Sequence, residues 1–424
     1  MRHTKTTLKN GMRVITVPMK DTKSLTLLAL FGTGSRYETK KTNGVSHFLE
    51  HLFFKGTTSR PRPGDVSQAL DDVGAEHNAF TSKEYTGYWV KAASRHVPLA
   101  LDIVSDILLE PLFKEEEIEK ERGVIFQEMH MYLDTPRRYV HNLFESLVYG
   151  DDPLGWEIIG TSDSLKRLSR DDILDYRKSH YVGSNAVLVV AGAFREEDTL
   201  RRVEKVFERL SAGTAKSCAP FQAIKKDASR AHLEYKKSDQ THVVLGARSN
   251  FSMFHQGRYA AALLATILGG KTSSRLFQEI REKRGLAYTV SATTEQFLDS
   301  GYFSVYAGVP HGKTKEVVRR IRDEFWRVGE NGISSRELRQ AKDFWRGQFA
   351  ISLESSDEVA SFYGTHELFY KDIVSPDEVM EKVERVTQEE VNSAAREIFH
   401  KQPLCMTLIG PHRDEVAYKQ LIHV

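Results

Sequence analysis

The sequence predicts an α+β protein built from two related halves, each a mainly antiparallel β-sheet packed with α-helices, together forming a clamshell-like cleft. Three observations carry this reading. The chain's 424 residues exceed what one hydrophobic core usually serves. Short apolar runs with turn residues at their ends alternate with amphipathic stretches of helical period. And a segment of the first half returns in the second.

Taken in order, Thr7-Leu8-Lys9 and Met12 to Val17 flank Asn10-Gly11, the dipeptide that most readily supplies two positive-φ residues to a tight hairpin. An apolar run from Leu25 to Phe31 ends at Gly32-Thr33-Gly34, and Asn43-Gly44-Val45-Ser46 then leads into a segment of helical periodicity. Between Glu115 and Tyr132, Ile118, Val124, Ile125 and Met129 recur at helical spacing behind an acidic first turn, which predicts a long amphipathic helix.

The repeat is the strongest organisational signal. Leu168 to Ile173, a short helix, and Val187 to Gly192 return as Val386 to Val391, a helix, and Cys405 to Gly410, at a constant offset of 218 residues. Both copies open on a capping box, Ser169 with Asp172 and Thr387 with Glu390. Lys55 to Arg60 has a counterpart in Lys271 to Arg275 at nearly the same offset. The small polar residues Ser211 to Ser217 lack periodicity and serve as the linker, so the expected domains are 1–215 and 216–424.

Sixty basic residues against fifty-eight acidic ones leave a formal charge of +2, too balanced to point to nucleic acid or a membrane surface. With 40% hydrophobic and 28% charged residues, bulk disorder is excluded. Cys218 and Cys405 alone make no disulfide framework and suit a reducing compartment. No apolar h-region follows Met1, no Arg- and Ser-rich transit segment is visible, and no stretch of about 18 consecutive apolar residues occurs. The expectation is a soluble, cytoplasmic protein.

Its chemistry concentrates in His47-Phe48-Leu49-Glu50-His51. On a helix, residues three and four apart share a face, so two imidazoles and a carboxylate project together. Phe48, Leu49 and Leu52 make the other face apolar, which points to an interior helix where ionisable groups without a partner would be costly. Two neutral imidazoles and a third ligand suit a catalytic zinc, with a carboxylate to take a proton from water. The third ligand must come from another element. The helix from Glu115 offers several carboxylates; Glu121 and Glu128 stand two turns apart on one face, and Glu128 lies among Ile125, Phe126 and Met129. Glu121 would then orient a ligand from behind.

At this point the sequence resembles the inverted zincins of the pitrilysin and insulinase family, processing-peptidase branch, whose mark is His-x-x-Glu-His. The resemblance extends through Leu52 to Thr57, Glu121 to Met129, Ser273 to Phe277 and Arg281 to Tyr288, nearly the whole chain. It implies that His47, His51 and Glu128 hold one Zn2+ per chain, that Glu50 is the general base and that Glu121 supports the site. It also implies that Arg281 and Tyr288 contact substrate and stabilise the oxyanion. By the same resemblance, Gly74 to Thr81 is an edge strand that pairs with an extended peptide, with Asn78 and Ala79 as substrate-binding residues. Family members of this length pair, so a homodimer is implied.

Carrying the repeat to the histidine segment lands on Leu263, Thr266 and Ile267, so the metal groups are not duplicated. The expected division puts the metal in the first half and Arg281 and Tyr288 in the second, with the active site at the interface of the halves. The resulting function is a zinc metalloendopeptidase that cleaves unfolded peptides or presequence-like segments. The competing reading is a non-catalytic, substrate-binding or scaffold subunit of a processing-peptidase-like complex. Its mark would be a damaged motif, whereas here every element of the motif stands in one chain.

Overall fold

A computed structural model describes residues 1–222, 230–371 and 373–423. The apolar runs form two sheets. The first contains β1 (Thr4–Thr7), β2 (Arg13–Pro18), β3 (Ser24–Phe31), β4 (Glu76–Thr81), β5 (Thr86–Ala93) and β6 (Ala186–Gly192), ordered β1-β2-β6-β3-β5-β4. Only β2 and β6 pair in parallel. The second contains β7 (Arg230–Tyr235), β8 (Thr241–Ser249), β9 (Thr289–Gln296), β10 (Gly301–Val309) and β11 (Leu404–Gly410), ordered β7-β11-β8-β10-β9, with β7 and β11 parallel. Both sheets are mainly antiparallel, as expected.

Leaving β1 aside, the two sheets coincide strand for strand in order and direction. The strands β2, β6, β3, β5 and β4 correspond to β7, β11, β8, β10 and β9. The sequence repeat is thus a repeat of architecture. Both capping boxes form, Ser169 with Asp172 ahead of the helix Arg170–His180 and Thr387 with Glu390 ahead of Gln388–His400. The shorter match has a structural meaning too. Arg60 bonds the carboxylates of Asp102 and Asp106, and Arg275 those of Glu324 and Glu337. In each half the guanidinium at the end of the repeated segment joins two helical carboxylates in charge-assisted hydrogen bonds.

One local expectation is corrected. The hairpin of β1 and β2 exists, but Thr7 pairs with Arg13 and the intervening loop is wider than a two-residue turn. Gly11 takes a φ of +89°, whereas Asn10 does not enter the left-handed region. The Asn10 side chain is instead buried, donating from Nδ2 to the carbonyls of Phe207 and Leu210. A tertiary use of the amide overrides the local turn preference.

The chain divides into two compact units that are discontinuous in sequence. Unit one comprises 1–129, 157–219 and 348–376; unit two comprises 130–156, 220–347 and 377–424. The strands themselves separate at the Ser211 to Ser217 linker, but two helices do not follow the contiguous halves 1–215 and 216–424. In unit one, the helix Ser356–Tyr370 lays Val359, Ala360, Tyr363 and Leu368 on Leu28, Leu30, Val187 and Val189 of the sheet. Its Gly364 lies so close that a Cβ there would meet Leu30 Cδ1 at 2.6 Å. In unit two, Pro136–Tyr149 packs Val140, Phe144 and Tyr149 against Val244, Tyr302 and Ile409. Each such fully buried side chain contributes about 1.5–3 kcal/mol. An amphipathic stripe records that a helix must be covered, not which sheet will cover it.

Within unit one, the helix Val45–Leu52 packs against β4 and the helix Arg170–His180. Val45, Phe48, Leu49 and Leu52 are buried. Gly44 precedes this helix with a φ of +96°, and a Cβ there would meet the Ile159 carbonyl at 2.7 Å, so both conformation and space demand glycine. The predicted long helix runs Glu115–Leu133 and carries Glu121 and Glu128.

Candidate metal centre

The helix period brings His47 and His51 onto one face, their rings 4.7 Å apart between centroids. The Glu128 carboxylate meets them from the long helix, its Oε2 lying 3.6 Å from His47 Nε2 and 3.4 Å from His51 Nε2. One donor atom from each of the three residues lies within 4.8 Å of the others. Among the described residues this is the one group of His, Cys, Asp or Glu side chains arranged to hold a metal ion.

Glu121 stands behind the centre, 4% exposed, with Oε2 3.1 Å from His51 Nδ1 and Oε1 2.7 Å from Lys55 Nζ. A carboxylate on the second ring nitrogen fixes tautomer and orientation, as behind many metal-bound imidazoles. Glu50 is held from the other side: Thr81 Oγ1, at the end of β4, donates to Glu50 Oε2 at 2.6 Å. Neither Lys55 nor Thr81 carries a chemical signal of its own in the sequence, although each lies within a segment that does. Their spacing carried no chemical pattern, because a side chain reaching sideways from a loop or strand leaves no period.

The electrostatics describe a site built around one cation. Burial, with the neighbouring His51, lowers His47 to about 4, against the pull of Glu128, so its imidazole is neutral at ordinary pH. For His51, burial lowers the pKa, but hydrogen bonds with Glu121 and Glu128 prevail and raise it to about 9. Burial also raises Glu50 above the usual carboxylate range, although Thr81 and His51 oppose it. Glu121 is pushed up by burial yet held lower overall by His51 and Lys55. Of the two imidazoles, His51 is therefore the one that takes up a proton. A divalent ion displacing that proton would satisfy the same carboxylates, and two imidazoles with one carboxylate are an apt donor set for zinc. These residues fit a metal.

The remaining candidates fall into two places. Asn78 and Ala79 lie on β4, an edge strand of the first sheet; Asn78 is exposed, Ala79 is buried, and Asn78 Oδ1 accepts from the Ala79 N–H at 2.9 Å. Arg281 and Tyr288 belong to unit two. Arg281 lies in the wide turn Phe277–Glu282, its guanidinium 4.7 Å from the Phe277 ring centroid and 5.5 Å from that of Tyr288. Tyr288 is 78% exposed, extreme for an aromatic side chain, and precedes β9.

Comparison with known proteins places this geometry in context. Residues 13–162 match the family described as Insulinase (Peptidase family M16), and residues 167–344 match the Peptidase M16 inactive domain. An uncharacterized zinc protease of Streptomyces coelicolor is 37% identical over 97% of this chain and 90% of its own length. One from Bacillus subtilis is 34% identical over 96% of this chain and 97% of its own length. Among solved structures, a protease from Helicobacter pylori is similar with a TM-score of 0.88 and 25% identity, covering 97% of this chain and 99% of that one. A peptidase M16 inactive domain from Pseudomonas fluorescens shares the fold at a TM-score of 0.89 and 18% identity, over 97% and 98% of the two chains. These likenesses support a peptidase.

Proposed function

The chain belongs to the M16, or insulinase, family of peptidases, and on that premise we propose that it is a zinc-dependent endopeptidase of unfolded or presequence-like peptides. The observation that carries this reading is the His47, His51 and Glu128 cluster with Glu50 on the same short helix. These three residues would hold one Zn2+ per chain. Bound there, zinc supplies Lewis acidity toward a water and the scissile carbonyl.

The chain's own groups do the rest. Glu50 takes the proton from the attacking water and returns it to the leaving amine; burial lifts it above the usual carboxylate range, which makes it a better proton acceptor. Thr81 engages Oε2 of Glu50 and fixes the carboxylate's orientation. Glu121 holds the His51 ring from behind and is itself held by Lys55. Asn78 and Ala79 on the edge strand offer backbone pairing to an extended peptide, which requires little of its sequence. Exposed Tyr288 beside Arg281 offers a phenol and a guanidinium to a substrate carbonyl. A homodimer in the cytoplasm completes the proposal.

The test is metal analysis of the purified chain together with mass-spectrometric mapping of cuts in a peptide mixture. Cleavage should cease with a chelator and return with added zinc. Activity that survives thorough chelation would refute the metal mechanism, and zinc-replete chain that cuts nothing would favour a scaffold subunit.

A further inference from the structure

Resting on that reading, we propose that Glu38 is a positioning residue of the metal centre: its buried carboxylate anchors the first turn of the helix Val45–Leu52 and so sets where His47 presents its imidazole. The two histidines are supported differently. His51 has Glu121 on its Nδ1. His47 Nδ1 is buried without a hydrogen-bond partner among the described residues, so its ring is aimed by its backbone rather than by a bond to the ring.

That backbone belongs to a helix of eight residues whose N-cap is Gly44, with no side chain to accept from the first-turn N–H groups. Short helices depend on their ends, and unsatisfied N–H donors fray them. Glu38 supplies what Gly44 lacks. Its Oε2 accepts from the Gly44 N–H at 2.8 Å and from Asn43 Nδ2 at 3.0 Å, and its Oε1 accepts from the Ser46 N–H at 2.8 Å. At 5% exposure it is a buried carboxyl at the positive end of a helix; burial pushes its pKa up to about 7, while the bonds from Ser46, Gly44 and Asn43 and the helix dipole favour its charged form. A second anchor meets the same residue: Ser46 Oγ donates to Tyr176 OH at 2.8 Å, and Tyr176 OH donates to the Gly34 carbonyl at 3.1 Å. The residue before His47 is thus held through both backbone and side chain.

Glu38→Gln replaces one acceptor with an N–H2 group facing N–H donors, and Glu38→Asp keeps the charge but shortens the reach across Gly44 and Ser46. Zinc affinity is read by competition with a chromogenic chelator, beside kcat and KM on a fluorogenic peptide. Both variants should bind zinc about tenfold more weakly and lose kcat, with KM within about twofold of wild type. Val203→Ala, a core truncation on the helix Glu196–Phe207, is the control for stability loss alone and should keep wild-type zinc affinity. Zinc affinity within about twofold of wild type in the Glu38 variants, or an equal loss in Val203→Ala, would overturn the proposal. A wild-type chain that takes up no zinc would overturn the metal reading and this inference together.

Discussion

The helices Val45–Leu52 and Arg258–Gly269 occupy corresponding places in two sheets of the same strand order, yet the first carries side chains that could hold an ion and the second is filled with core residues. Where the first carries His47, Glu50 and His51, the repeat sets Leu263, Thr266 and Ile267 in the second, 0%, 6% and 2% exposed. The one polar residue of that trio is satisfied internally: Trp345 Nε1 donates to Thr266 Oγ1 at 2.8 Å. An indole from the helix Ser335–Ser352 thus closes this second place. The difference teaches that the scaffold does not require the metal groups. A buried imidazole or carboxylate persists only where a partner offsets its desolvation.

The largest effect that would sharpen this contrast is on turnover. Glu50→Gln should lower kcat about a thousandfold while zinc content, measured by atomic emission, stays near one per chain. Loss of the zinc instead would reassign Glu50 as a ligand. Thr266→Val, at the corresponding place, should leave kcat within about twofold and cost about 1 kcal/mol in denaturant unfolding, the worth of one buried hydrogen bond. Next comes Ile267→His, an imidazole placed where the second helix has none of its partners. It should destabilise by about 2–4 kcal/mol and recruit no second zinc. Unchanged stability would mean that this site tolerates polar groups and that the contrast is wrong.

The smallest effect concerns pH. His180 ends one capping-box helix, and the repeat sets Ile398 in its place on the other. Burial, reinforced by Lys216, lowers His180 to about 4. Its unfolded-state value is higher, so between about pH 6.5 and 4 the unfolded chain binds more protons and stability falls as pH falls. His180→Gln should remove about 1–3 kcal/mol of that acid loss, seen as a flatter urea midpoint from pH 7 to pH 4.5. An unchanged slope would show that the loss arises elsewhere.

Much of this was legible in the residues. The return of Val187 to Gly192 as Cys405 to Gly410 became β6 and β11, corresponding strands of the two sheets. Helical spacing placed His47 and His51 on one face, and the two-turn interval from Glu121 to Glu128 placed two carboxylates toward them. What stayed hidden depends on partners remote in the chain. Nothing in the stripe of Pro136–Tyr149 or Ser356–Tyr370 names the sheet it covers, so the discontinuity of the units was invisible. Asn10 read as a turn residue because its acceptors, Phe207 and Leu210, lie far along the sequence. Glu38 gave no signal either: it caps a helix from outside the helix, through a loop whose path only folding decides.

One metal site is expected per chain, on the first of the two corresponding helices. Crystals grown with zinc and measured on both sides of the zinc absorption edge test it directly. Expected is a single anomalous peak per chain, about 2.0–2.2 Å from an imidazole nitrogen of His47, one of His51 and a carboxylate oxygen of Glu128. A peak at other residues, a second peak beside Arg258–Gly269, or no peak from zinc-saturated active protein would contradict it.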